Sequence, residues 1–148
     1  MLVAQGSSVS VLQNFWWKKE RWVGRTWLAS YEGDAAAERF RAFEEGRETC
    51  ETLVGRTPEG RVDSRISVGK VPGPKLGDEA VAFELSMDGP DGGVPTDRHV
   101  MVRVGSLTVD ASDRGLAGAP PRFPLDVVVH KQVERLVRLV PLVRQSRT

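Results

Sequence analysis

Cysteine is almost absent from this chain of 148 residues, Cys50 being the only one. A single thiol excludes an intrachain disulfide and any zinc site built on several cysteines. No run of about 18 apolar residues occurs, so no membrane-spanning helix is expected. Neither sign of charge dominates: 21 Lys and Arg against 20 Asp and Glu leave +1. A dedicated nucleic-acid binder carries a basic excess or a basic stripe, so nucleic acid is not an expected partner. Histidine is scarce as well, and His99 and His130 show no ligand spacing of the HExxH kind. The chain also lacks GxSxG, a Walker loop and a dinucleotide fingerprint. These absences leave no catalytic, cofactor-binding or metal-ligating residue to assign. A Ser-His-Asp set that converges only in three dimensions stays open. The start, MLVAQGSSVSVLQNF, has neither the charged segment nor the apolar run of a signal peptide. With Met1 as the true start the chain is expected in the cytoplasm, and an upstream leader would place it outside.

What is present reads as one α+β domain. A chain of this length can bury roughly 70% of its unfolded surface without metal or disulfide. Its 40% hydrophobic and 28% charged residues are ordinary for a soluble globular protein. The clearest pattern is the alternation between Gly77 and Asp110. Val81, Phe83, Leu85 and Met87 take one face of a strand, with Ala80, Ala82, Glu84 and Ser86 on the other. Val100, Val102 and Val104 follow in the even phase, and Leu107, Val109 and Ala111 in the odd phase. The switch at Gly105-Ser106 predicts a two-residue hairpin, with one long strand carrying a glycine bulge as the competing reading. The segment Asp88 to Asp97, rich in Gly, Pro and Asp, is expected to be an exposed loop.

Upstream, Val9 to Trp17 and Trp22 to Glu32 are strand candidates that hold Trp16, Trp17, Trp22 and Trp27. Two readings apply to this cluster. Aromatics beside Lys18, Lys19, Arg21 and Arg25 could stack on bases or sugars, or the tryptophans could form core, each burying on the order of 200 Å². The mixed signs of the surrounding charges favour core. Asp34 is expected to cap a helix whose apolar stripe is Ala36, Phe40, Phe43 and Cys50, with Cys50 a small hydrophobe rather than a reactive thiol. Thr57 to Gly60 reads as a turn and Val62 to Val71 as a strand, with Ile66 and Val68 inward. Asp78 and Glu79 start a strand, where adjacent side chains point to opposite faces, so the pair is not expected to share a target.

Ser112 to Phe123 reads as a loop. Pro124 suits the start of a helix whose face is Val129, Val133, Leu136, Val137 and Val140, and Pro141 is expected to end or kink it. Its basic outer face, Lys131, Arg135 and Arg138 interrupted by Glu134, is read as solvated. Residues 1–8 and 142–148 are expected to be disordered. The expected architecture is thus an antiparallel sheet of about five or six strands packed on two helices. Phe40, Phe43, Trp27, Phe83 and Val102 are expected to share one core.

The order of RTWLASYEG, DAAAERFRAFEEGRETC, LGDEAVAFEL, HVMVRVGSLTVD and KQVERL resembles the sensor-type domains of actinobacterial lipoproteins. It is also similar to the extracellular sensor domain of a mycobacterial serine/threonine kinase. The resemblance spans roughly Arg25 to Val140 and rests most on GDEAVAFEL and VMVRVGSLTV. It implies a sheet flanked by helices, with a cleft for a ligand, outside the membrane. This sequence departs from that pattern in its single cysteine, and with Met1 taken as the start neither a leader nor a lipobox is expected. Two functional classes follow: a non-enzymatic sensor or binding module with a groove for a small molecule or protein, or a hydrolase whose groups are scattered in sequence. Converging groups of perturbed pKa would favour the enzyme, and an apolar groove would favour the module.

Overall fold

The computed structural model describes residues 6–19, 22–87, 96–115 and 123–145, with the backbone alone for 22, 63, 64, 115 and 140–145. Its elements in order are β1 (Val9–Trp17), β2 (Trp22–Ser30), α1 (Ala35–Thr49), β3 (Thr52–Arg56), β4 (Val62–Val71), β5 (Glu79–Met87), β6 (Thr96–Val104), β7 (Leu107–Gly115) and α2 (Leu125–Gln145). The strands form one sheet in the order β1-β2-β7-β6-β5-β4-β3, with every neighbouring pair antiparallel. The class is α+β, as expected. The strands number seven rather than five or six, because β3 is a five-residue edge strand whose Leu53 and Val54 stay exposed. So short and exposed a run leaves no alternation to read.

The two-residue hairpin is present. Val104 pairs with Leu107 across Gly105-Ser106, and Gly105 takes a φ of 59°, the left-handed region that a primed turn needs at its first central residue. This register puts even residues of β6 and odd residues of β7 on the same face, which explains the phase switch in the sequence.

The sheet is covered on both faces. On one, Phe40 of α1 packs with Val81, Phe83 and Met101, and Phe43 and Leu85 border them. On the other, Leu125, Val129, Val133 and Leu136 of α2 pack with Val100, Val102, Val104, Val109 and Ala111. Neighbouring residues along a strand therefore enter different cores. Val102 accordingly does not share a core with Phe40, Phe43 and Phe83. Nor does Trp27 belong to that cluster, although it lies on the same face.

Several local expectations change. Trp16 and Trp17 are 59% and 51% exposed, so they are not core; β1 is a sheet edge, and among the described residues it joins an apolar cluster only through Phe15. The Trp22 side chain lies outside the described residues. Asp34 precedes α1 without a side-chain cap bond, and only its carbonyl engages the first turn, accepting from Glu38 N–H at 3.1 Å. Cys50 follows α1 in extended conformation and is half-buried, with Sγ donating to the Thr52 carbonyl at 3.4 Å, so it is off the helical stripe.

Thr96 and Asp97 belong to β6 and Ser112 to Gly115 to β7, so these ends of the two expected loops are strand; the rest of both expectations, residues 88–95 and 116–122, lies outside the described residues. In α2, Val137 is 52% exposed. The helix runs through Pro141 to Gln145, since a proline removes one bond of the ladder while its flanking turns keep theirs. Of the tails at residues 1–8 and 142–148, only Gly6 to Ser8 and residues 142–145 are described; Ser8 N–H donates to the Ser30 carbonyl at 2.8 Å. Among the described residues no helix is long and apolar enough to cross a membrane.

Candidate functional site

Where β7 hands over to α2, a run of close packing fixes a small pocket. Gly24 of β2 stands opposite Asp113 of β7. Without a Cβ at Gly24, the ring of Phe123 lies directly on the β2 backbone. Phe15 of β1 packs on that ring at 5.3 Å between centroids. Pro124 then leads into α2, and its carbonyl accepts the Val128 N–H at 3.0 Å. Behind Phe123 opens a cavity of about 240 Å³ lined by Arg98, Asp113, Phe123, Pro124, Leu125, Asp126 and Val127.

The polar groups of this pocket come from two strands and a helix start. Arg98 and Asp113 are direct partners across β6 and β7. Arg98 also meets Asp126 in the first turn of α2, with Nη2 to Oδ1 at 3.6 Å. Asp113 is 4% exposed. Burial pushes its carboxyl up to about 6, against the opposing pull of the Phe123 backbone N–H and the Arg98 guanidinium; Asp97 adds to the rise. Its Oδ1 has no hydrogen-bond partner among the described residues. A carboxyl poised near neutrality beside a cation and a helix N-terminus can accept or donate a hydrogen bond according to pH.

The opposite face carries a second polar group. His99 Nδ1 and Asp110 Oδ1 lie 3.2 Å apart, and both side chains are largely buried. The His99 ring stacks on Phe83 at 4.8 Å with 8° between planes. Ser112 is the cross-strand partner of His99, and Trp27 that of Asp110. The Trp27 indole Nε1 is buried with no partner among the described residues.

His99 thus has a partner that its spacing in sequence did not announce. His130 is exposed on α2 and joins neither group, and Cys50 lies apart from both. Among the described residues no cluster of three His, Cys, Asp or Glu could hold a metal ion. Asp78 and Glu79 do converge, contrary to the alternation argument. Both bind Arg103, Asp78 Oδ2 at 3.1 Å from Nη1 and Glu79 Oε2 on Nε; Asp78 also accepts the Gly105 N–H at 2.7 Å. Asp78 precedes β5 and so escapes strand alternation. This clamp holds the β6–β7 turn.

Sequence reasoning missed Arg98, Asp113 and Asp126 as a set. The signal was available in part. The Gly105-Ser106 hairpin register alone pairs Arg98 with Asp113 and His99 with Ser112. Comparison of the chain with protein-family models, with curated proteins and with solved structures finds no match.

Proposed function

We propose that the protein is a non-enzymatic binding module that takes a small polar molecule in the pocket between β6, β7 and the start of α2. One observation carries this reading: the buried carboxyl of Asp113, raised to about 6, stands in the wall of a cavity beside Arg98 and Asp126. Buried carboxyls displaced from their ordinary range concentrate at functional sites. The surrounding wall of Phe123, Pro124, Leu125 and Val127 supplies the apolar contact that a small ligand needs. A groove between sheet and helix is also what the resemblance of Arg25 to Val140 to sensor-type domains implies. Screening small polar compounds by thermal shift tests it. Binders should raise the melting temperature by mass action, and Arg98→Gln should abolish the shift while the variant stays folded. Shifts that survive Arg98→Gln would remove the pocket from the account.

A second reading, hydrolysis, is favoured by the His99–Asp110 pair with Ser112 across from His99. A carboxylate that orients an imidazole beside a hydroxyl is the arrangement of nucleophilic catalysis. Ester hydrolysis lost in His99→Gln would select this reading over the binding module.

A further inference from the structure

We infer that β1 is a self-association edge, on which a second copy of this chain adds its own β1 antiparallel to make one continuous sheet through a two-fold axis. The two edges of the sheet differ. At one end, β3 is short, carries Arg56 and has a register irregularity at Gly55/Arg56; brevity, charge and bulges are devices that block edge pairing. At the other end, β1 has nine residues, VSVLQNFWW, with no charge, no proline and no bulge in its register with β2. It also exposes apolar side chains on both faces: Val9 at 64%, Val11 at 58%, Leu12 at 45%, Trp16 at 59% and Trp17 at 51%. An edge of this composition invites pairing.

The order of these residues selects the occupant. Residues of equal phase share a face, so a two-fold axis perpendicular to the sheet pairs even with even and odd with odd. With the axis at Asn14, Leu12 meets Trp16 of the second copy on one face and Val11 meets Trp17 on the other. Each pair occurs twice, and aliphatic–aromatic pairs are the favoured cross-strand contacts of sheets. No charge from β1 is buried by this arrangement. Lys18 faces Ser10 of the other copy, so the two Lys18 residues stand eight positions apart along the strands, roughly 26 Å at ~3.3 Å per residue. That is well beyond the screening length of about 8 Å.

Area sets the strength. Two half-exposed tryptophans offer on the order of 250 Å² per copy, from ~250 Å² for a whole ring system. With Val11 and Leu12 added, Val9 standing opposite Lys19 of the second copy, the pair offers on the order of 800 Å², short of the ~1,000 Å² of a stable specific interface, so the expected association is a weak, concentration-dependent one. Apolar contacts spread along the whole strand, including Val9 and Leu12 far from the Lys18–Lys19 turn, favour strand pairing over insertion of the turn into a membrane surface.

Sedimentation velocity of the full chain over a concentration series tests this. The expected result is a monomer–dimer equilibrium that Leu12→Lys shifts to monomer at least tenfold in Kd, with unchanged circular dichroism; Trp16→Lys serves the same purpose if the first variant misfolds. The register is tested by Asn14→Cys in a Cys50→Ala background. The self-paired thiols should oxidise to a dimer, since opposed residues lie ~4.5–5.5 Å apart between Cα atoms, within disulfide reach. A monomer at every concentration up to about 1 mM, or a dimer indifferent to both Leu12→Lys and Trp16→Lys, overturns the proposal. So does binding of the monomer to vesicles of anionic phospholipid through these tryptophans.

Discussion

The ring of Phe123 occupies the space above Gly24: a Cβ on Gly24 would stand 2.3 Å from Cδ2 of that ring. A rigid aromatic ring in a packed site cannot give way by so much, so Gly24→Ala forces Phe123 off the strand. Overpacking of this kind costs about 1–3 kcal/mol. Because Phe123 also walls the pocket, the substitution should lower the melting temperature and weaken ligand binding together. Retained affinity in a destabilised Gly24→Ala protein would separate the pocket from Phe123.

Asp113 makes stability depend on pH in a direction opposite to the usual carboxylate. Its folded pKa, about 6, lies above its ordinary value of 3.8. The folded state therefore holds the proton more tightly, and the contribution is complete below about pH 4 and is lost as pH rises through about 6. Chemical denaturation from pH 4 to 7 should show the wild type losing stability relative to Asp113→Asn, by at most about 1.4 kcal/mol per pH unit. Among the described residues, Arg98 and Asp97 on β6 and Asp126 on α2 are the charges around this carboxyl, while its β2 neighbour Gly24 has none. A wild-type-minus-variant difference that is flat across the range would contradict the assignment.

Phe83 and Val102 lie on opposite faces of the sheet, and their truncations should be independent. Phe83→Ala removes the ring that meets Phe43 at 5.2 Å and His99 at 4.8 Å. It should cost about 3–5 kcal/mol, seen as a fall in Tm of roughly 6–20 °C for a chain of this size. Combined with Val102→Ala, the losses should add to within about 0.5 kcal/mol. A larger coupling would place both residues in one core.

Periodicity made much of this fold legible. The runs at Val81 to Met87 and Val100 to Ala111 gave three central strands and their turn, because half of each strand's residues are apolar at period 2. The same pattern concealed the layering. With both faces covered, Val81 and Ala82 are both buried, and periodicity alone does not say that the two phases meet different helices. The tryptophans misled for a related reason: hydrophobicity measures what a residue gains by burial, whereas position on the edge strand β1 leaves Trp16 and Trp17 more than half exposed.

The pocket was less legible than the sheet. Arg98 and Asp113 are each ordinary strand residues, and their pairing follows only once the hairpin is chosen over the bulge. Asp126 lies on a different element, and the stretch of sequence that separates it from β7 carries no periodic signal. The Arg103 clamp was hidden similarly, since its partner Asp78 lies one residue before the strand begins.

We propose above that the pocket beside Asp113 binds a small polar molecule without turning it over. The most direct measurement is a titration of the full, isotopically labelled chain with the strongest thermal-shift hit, followed by backbone amide resonances at neutral pH. Saturable shifts are expected to concentrate at Arg98, Asp113, Phe123, Asp126 and Val127, to be absent in Arg98→Gln, and to leave the compound recovered unchanged. Shifts centred on His99, Asp110 and Ser112, or hydrolysis of the compound that His99→Gln abolishes, would contradict it.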